Sequence, residues 1–197
     1  VDIEGVLMKD TIVFEPELEK KNGVGIVLYP GAKVENTAYS YYAQGLMEAG
    51  YTVIVPEMTF NFALLSPNKA SEYVERYPEV DRWIVGGHSL GGVTAAMYAA
   101  KHEVDGLMFL GSYPSEGADL SKELLPVLSI YAEKDGLTLV EDIEVAKPLL
   151  PAHTVYAEIV GGNHAQFGMY GAQKGDLQAD ISAVKQQEEM IELTLKW

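Results

Sequence analysis

Gly86-Gly87-His88-Ser89-Leu90-Gly91-Gly92 lies between the apolar run Trp83-Ile84-Val85 and the helix-forming run Val93 to Ala100. That order reads as strand, sharp turn and helix. A Gly-x-Ser-x-Gly turn in this setting is a nucleophile elbow, whose serine takes a strained backbone conformation so that its hydroxyl stands clear of the sheet edge. Glycine suits positions 87 and 91 because a side chain two residues either side of Ser89 would collide with the neighbouring strand or helix. The helix starts almost at the serine, so its unpaired N–H groups and positive dipole end face any negative charge forming there. Taken alone, the pentapeptide is equally a glycine-rich turn with a surface serine.

Two further residues follow strand-like runs in the same way. Asp135 comes after Val127 to Tyr131, in Tyr131-Ala132-Glu133-Lys134-Asp135-Gly136, and His164 comes after Val155 to Val160, in Gly161-Gly162-Asn163-His164. Ligands of an open parallel sheet bind beyond the carboxyl ends of its strands, so side chains placed just after three strands can meet. Asp-Gly is also a common turn pair, and Glu133 and Asp142 compete with Asp135 for an acid role. His88, inside the elbow, reads as packed or hydrogen-bonded beside the serine, His102 as a surface residue complementing a helix C-terminus, and His153 as a loop residue. No two histidines have metal-ligand spacing, so no metal is expected.

The elements that must position these residues alternate along the chain. Gly5 to Met8 and Thr11 to Phe14 flank Lys9-Asp10 as an edge strand pair. Val24 to Tyr29, Thr52 to Val55, Trp83 to Val85, Gly106 to Leu110 and Val127 to Tyr131 are continuous apolar runs of strand length, the mark of strands covered on both faces. The spacing predicts a helix over Asn36 to Glu48 with Asn36 or Thr37 as cap, and one from Ser66-Pro67 to Pro78. A third follows the elbow and another runs from about Val140 to Leu150. The last carries Ile181, Val184, Ile191 and Leu195 on one side. Strands alternating with helices make a doubly wound, mostly parallel α/β sheet with helices on both faces.

Bulk properties narrow the partners. The chain has 197 residues, 48% hydrophobic and 22% charged, which suits one globular domain over residues 1–197. Its formal net charge is -15, a surface that repels phosphate backbones, so nucleic acid is excluded as the expected partner. The absence of cysteine removes disulfides, thiolate metal sites and a cysteine nucleophile together. The apolar runs are far shorter than the ~18 residues of a membrane span. The chain opens at Val1, so an export signal or anchor removed upstream fits the sequence as well as a cytoplasmic domain does. Neither cellular location nor oligomeric state is set by these residues.

The order Ser89, Asp135, His164, each just after a strand, resembles the α/β-hydrolase fold family from about Val24 onward. That resemblance implies Ser89 as nucleophile, His164 as the base that takes its proton, and Asp135 as the carboxylate holding the imidazole in the useful tautomer. It implies an oxyanion hole as well. The Leu90 N–H supplies one donor, and the second comes from Gly31, Ala32 or Lys33 in the loop Tyr29-Pro30-Gly31-Ala32-Lys33, where many members have His-Gly in place of Pro30-Gly31. Ala32 is favoured, since Gly31 lets the chain turn tightly enough to aim the next amide inward.

Gly31, His88, Met58, Phe60, Phe62 and Tyr113 are the candidate substrate-contacting residues; the stretch Pro56 to Leu65 serves equally as hydrophobic cover. Ser112 to Leu125 is too short to hold a lid domain, which implies an open site. The two-glycine elbow and the block Asn163-His164-Ala165-Gln166-Phe167-Gly168 resemble compact bacterial hydrolases of the dienelactone-hydrolase-like and carboxylesterase type. Dienelactone hydrolases use cysteine, so Ser89 argues against that activity. The implied function is a serine esterase that needs no cofactor and acts on a small-molecule carboxylic ester. An acyltransferase or thioesterase would share the first half-reaction, and an inactive binding protein would share only the fold.

Overall fold

The computed structural model describes residues 6–8 and 11–197. The apolar runs separated by glycine and proline become the strands β1 (Val6–Met8), β2 (Thr11–Phe14), β3 (Val24–Tyr29), β4 (Thr52–Val55), β5 (Arg82–His88), β6 (Gly106–Leu110), β7 (Val127–Ala132) and β8 (Val155–Ile159). They form one eight-stranded sheet in the order β1-β2-β4-β3-β5-β6-β7-β8. β3 to β8 are mutually parallel, while β2 pairs antiparallel with both β1 and β4. The edge hairpin expected at the start is therefore present; Gly5, Lys9 and Asp10 lie outside the described residues.

The chain leaves β3 in one direction to reach β4 and returns to β5 on the other side. This makes the gap beyond the carboxyl ends of β3 and β5 the topological switch point, where a doubly wound sheet binds ligands. Ser89 follows β5 there, and the loop at 30–34 follows β3.

Strand pleating sorts the core into two faces. In β3, Ile26 and Leu28 join a cluster with Tyr39, Tyr42, Leu46 and Met190, whereas Val27 and Tyr29 join one with Tyr73, Ala95, Ala96 and Tyr98. The first face is covered by α1 (Ser40–Glu48), the second by α2 (Lys69–Arg76) and α3 (Leu90–Ala99). α4 (Val140–Ala146) and α5 (Ala183–Lys196) complete the helices, α5 packing beside α1. Residues 111–126, between β6 and β7, contain neither helix nor strand, so no lid domain is inserted there.

Three sequence expectations are corrected. The helix expected from Asn36 opens as a 3-10 turn over Asn36–Tyr39, and Asn36 does not cap it, because its side chain is buried and donates to the Val55 carbonyl 3.2 Å away. The helix expected from Ser66 starts at Lys69, since the Pro67 carbonyl accepts from the Tyr29 hydroxyl at 2.9 Å and that hydroxyl in turn accepts from the Ala70 N–H at 3.0 Å. α5 does not bury Val184 and Leu195, which are 42% and 41% exposed; its inward face is Gln186, Gln187, Met190 and Thr194.

At the elbow, packing leaves no room for a side chain on the flanking glycines. A methyl group on Gly91 would overlap the carbonyls of Tyr29 and Pro30, and one on Gly87 would overlap the backbone of Gly91 and Gly92. Backbone cannot rotate aside as a side chain does. Gly91→Ala is therefore expected to lower the unfolding free energy by about 3 kcal/mol, the upper part of the usual overpacking range. Gly117→Ala, where the nearest atom to an added methyl is Ser115 Oγ at 4.0 Å, should stay within about 0.5 kcal/mol of wild type in the same denaturant titration.

Candidate active site

Ser89 has φ 53 and ψ -123, a region that L-residues adopt only where their surroundings impose it. Two hydrogen bonds hold the strain: the Ser89 N–H donates to the Leu110 carbonyl at 3.1 Å, and the Ser112 hydroxyl donates to the Ser89 carbonyl at 2.5 Å. The serine remains partly exposed at the start of α3.

His164 and Asp135 are nearly closed off from solvent, at 1% and 3% exposure. The His164 Nδ1 hydrogen-bonds to Asp135 Oδ2 at 2.7 Å. The other carboxylate oxygen, Oδ1, accepts from the N–H groups of Leu137 at 2.8 Å and Thr138 at 2.6 Å, an Asx turn that points the acid inward. The competing acids face elsewhere. Glu133 accepts from the Gly161 N–H at 2.9 Å, and Asp142 caps α4 through the Leu139 N–H at 2.9 Å.

With Nδ1 held by Asp135, the nitrogen of His164 left to take a proton is Nε2. No hydrogen bond joins it to Ser89 here, and such bonds in unliganded sites often close only when substrate is bound.

His164 sits on an irregular segment that is nonetheless tightly bonded. Buried Gln186 of α5 pairs with the Asn163 backbone twice, its Oε1 accepting from the N–H at 2.9 Å and its Nε2 donating to the carbonyl at 2.8 Å. Gln187 donates to the Gln166 carbonyl at 2.7 Å, and Asn163 donates to the Leu177 carbonyl at 2.7 Å. Gln186 and Gln187 carry no signal in the sequence, since two glutamines in Lys185-Gln186-Gln187-Glu188-Glu189 read as part of a charged, solvated helix face.

His88 is buried beside His164, the two ring centroids 4.6 Å apart. Phe167 and Tyr170 rings also surround it, at 5.7 and 6.1 Å. Its Nδ1 lies 2.8 Å from the Tyr39 hydroxyl, which accepts the Gly31 N–H at 2.8 Å. Since that hydroxyl accepts from Gly31, its own proton is available to His88 Nδ1. The chain Gly31, Tyr39, His88 thus ties the loop after β3 to the elbow and the base.

The same bonding sorts the candidate oxyanion donors. The Gly31 N–H is taken by Tyr39, and the Lys33 N–H donates to the Asn61 carbonyl at 2.7 Å. The N–H groups of Ala32 and Leu90 have no hydrogen-bond partner among the described residues. Of the apolar candidates, Met58 is 3% exposed and packs in the core with Tyr29 and Ala63, whereas Phe60 is 89% exposed and Phe62 half-buried. Tyr113 lines a cleft of about 460 Å³ with Pro114, Asp142, Val145 and Pro148. No group of His, Cys, Asp or Glu fit to hold a metal ion occurs among the described residues, and no helix there is long and apolar enough to cross a membrane.

A sheet wound on both faces, with a strained serine after β5, an acid after β7 and a histidine after β8, is the arrangement of an α/β hydrolase. Residues 25–188 match the model of the Alpha/beta hydrolase family, and the chain belongs to that family. An alpha/beta hydrolase enzyme from the metagenome of sediments of the Mar Chica lagoon, Morocco, superposes with a TM-score of 0.71 at 19% identity, covering 98% of this chain and 97% of that one. A serine hydrolase without a lid from Xanthomonas campestris gives 0.68 at 15% identity over 95% and 88% of the two chains. An esterase from Thermogutta terrifontis gives 0.68 at 12% identity over 98% and 91%. No curated protein matches the sequence.

Burial, and then the adjacent His164, hold the pKa of His88 well below its ordinary value of 6.5. Folded His88 is therefore neutral while the unfolded chain binds a proton as pH drops through about 6.5. The folded state loses stability from that pH downward, at no more than about 1.4 kcal/mol per pH unit, until the folded pKa is passed. His88→Asn keeps an acceptor facing Tyr39 and lacks this linkage. The stability advantage of wild type over the variant should shrink by up to about 2 kcal/mol between pH 7 and pH 5 in paired denaturant titrations; an unchanged gap would mean that folded His88 takes up its proton at the same pH as in the unfolded chain.

Proposed function

We propose that this chain is a serine hydrolase that cleaves carboxylic esters through an acyl-enzyme. The observation that carries the reading is the His164 Nδ1 to Asp135 Oδ2 hydrogen bond of 2.7 Å, buried behind a serine in the elbow conformation. An ester is the substrate class indicated by the esterases among the solved structures that share the fold.

In the first half-reaction Ser89 Oγ forms a bond to the ester carbonyl carbon while its proton passes to His164 Nε2. Negative charge develops on the carbonyl oxygen, and we assign the N–H groups of Leu90 and Ala32 as the donors that receive it. The free state of both donors supports that assignment, because a donor already bonded elsewhere cannot stabilise the oxyanion. Collapse of the tetrahedral intermediate breaks the bond to the alcohol oxygen, which takes the proton from His164. In the second half, water gives its proton to His164 and attacks the acyl carbon; the acid departs and Ser89 recovers its proton. Asp135 stays ionised throughout and stabilises the imidazolium.

No lid domain is inserted between β6 and β7, and Phe60, Phe62 and the Tyr113 cleft offer apolar surface on the loops that follow β4 and β6. We assign acyl and alcohol contacts to these residues. Met58 supports the loop from beneath.

Ser89→Ala should abolish labelling by a fluorophosphonate probe and lower turnover of p-nitrophenyl acetate by about 10⁶-fold, as losing the nucleophile does in other hydrolases. Peptide mapping of the labelled wild type checks the position. A label on any other serine would overturn the reading. Asp135→Asn should fold, since the amide oxygen can still accept from Leu137 and Thr138, but its NH₂ would face His164 Nδ1 and favour the wrong tautomer. Turnover should fall by about 10⁴-fold in steady-state assays.

A further inference from the structure

Asp176 lies in the irregular segment before α5, outside every sequence motif, and partly buried. Its carboxylate accepts four backbone N–H groups. Oδ1 takes those of Gly136 at 3.0 Å, His164 at 3.3 Å and its neighbour Leu177 at 2.9 Å, and Oδ2 takes that of Ala165 at 2.8 Å. Gly136 is the residue after Asp135, and His164 bears the imidazole. One side chain therefore spans the loop of the acid and the loop of the base.

The contact with the acid loop is close as well as polar. A methyl group on Gly136 would come within 2.6 Å of the Gly175 carbonyl and 2.9 Å of the Leu177 nitrogen, so segment 175–177 rests directly on the backbone beside Asp135. Other ties lie nearer the strands, among them the bond from the Gly161 N–H to Glu133. The Glu133 and Lys134 N–H groups donate to the Ile159 and Gly162 carbonyls at 3.1 and 2.8 Å. Beyond them, Asp176 supplies the bonds on the outer side, next to the two catalytic side chains.

We infer that Asp176 is a positioning residue that sets the His164–Asp135 geometry by clamping the backbones of both loops. The inference rests on the hydrolase reading above. A carboxylate suits the task because both of its oxygens accept, and an amide offers only one acceptor. In Asp176→Asn either the Ala165 N–H or the Gly136 and His164 N–H groups would meet an NH₂ group. The loops would separate on that side, and small displacements of a base relative to its nucleophile cost about 10²-fold in rate.

The test uses the full chain in wild-type, Asp176→Asn and Asp176→Glu forms. Three readouts are taken: the rate of phosphonylation by a fluorophosphonate, in which the Ser89 Oγ–P bond forms, the P–F bond breaks and the serine proton goes to His164; kcat and KM on p-nitrophenyl acetate; and the downfield proton resonance of His164 Nδ1. Folded Asp176→Asn should show kcat and phosphonylation about 100-fold down with KM within about twofold, and a lost or shifted resonance. Asp176→Glu, which keeps both oxygens but displaces them by a methylene, should recover part of the rate. Asp176→Asn that is folded and within about threefold of wild type in phosphonylation would overturn the assignment. If Asp176→Asn does not fold, Asp176→Glu decides alone: a folded protein with depressed kcat and unchanged KM supports positioning, whereas wild-type kinetics or failure to fold overturns it. Wild type that is not labelled at Ser89 would instead refute the hydrolase reading, which separates the two failures.

Discussion

The backbone conformation of Ser89 is the constraint on which the site depends. At φ 53 and ψ -123 the residue is strained, and strain persists only where neighbouring structure over-determines it. Here the over-determination comes from the sheet and from two glycines. β6 takes the Ser89 N–H and Ser112 bonds its carbonyl, while Gly91 lets the first turn of α3 press against the carbonyl ends of β3. The same close approach brings the loop after β3 alongside the start of α3, so Ser89 and the candidate oxyanion donors are placed by one contact.

The remaining side chains are held by a different means. Neither the acid loop nor the base loop has regular secondary structure over most of its length, yet both are rigidly hydrogen-bonded. Asp135 is fixed by its own turn, Asn163 is paired twice with Gln186, and Asp176 collects four amides across the gap. Buried polar groups with satisfied partners are strong locators, because the low dielectric that penalises an unmade bond also strengthens a made one. That explains why the inward face of α5 carries glutamines: it reads the backbone of the loop beneath it.

His88 shows the cost that this arrangement accepts. Its Nδ1 is bonded to Tyr39, but Nε2 is buried with no hydrogen-bond partner among the described residues, and its ring lies against those of His164 and Phe167. A neutral, desolvated imidazole at this position packs against His164 while linking it through Tyr39 to Gly31. Four rings enclose it, that of Tyr39 before α1 and those of His164, Phe167 and Tyr170 in the segment after β8.

The central strands were legible because continuous apolar runs bounded by Pro and Gly need only the local pattern to be recognised. The elbow was legible for the same reason, since its glycines answer a steric demand set within a few residues. The N-terminal end of the Asn36 to Glu48 helix shows the limit: the pattern placed the apolar face and the end at Glu48, but Asn36 is drawn away to the Val55 carbonyl, a strand distant in sequence. The inward face of α5 was misread because hydrophobic periodicity cannot register a buried side chain whose partner is backbone. What the sequence by itself determined is the alternation of strands and helices and the three positions at strand ends where Ser89, Asp135 and His164 stand. Only the tertiary structure decided which carboxylate meets the imidazole, which amides remain free, and that Gln186, Tyr39 and Asp176 hold the loops, because those choices are hydrogen bonds between residues brought together solely by the folding of the sheet.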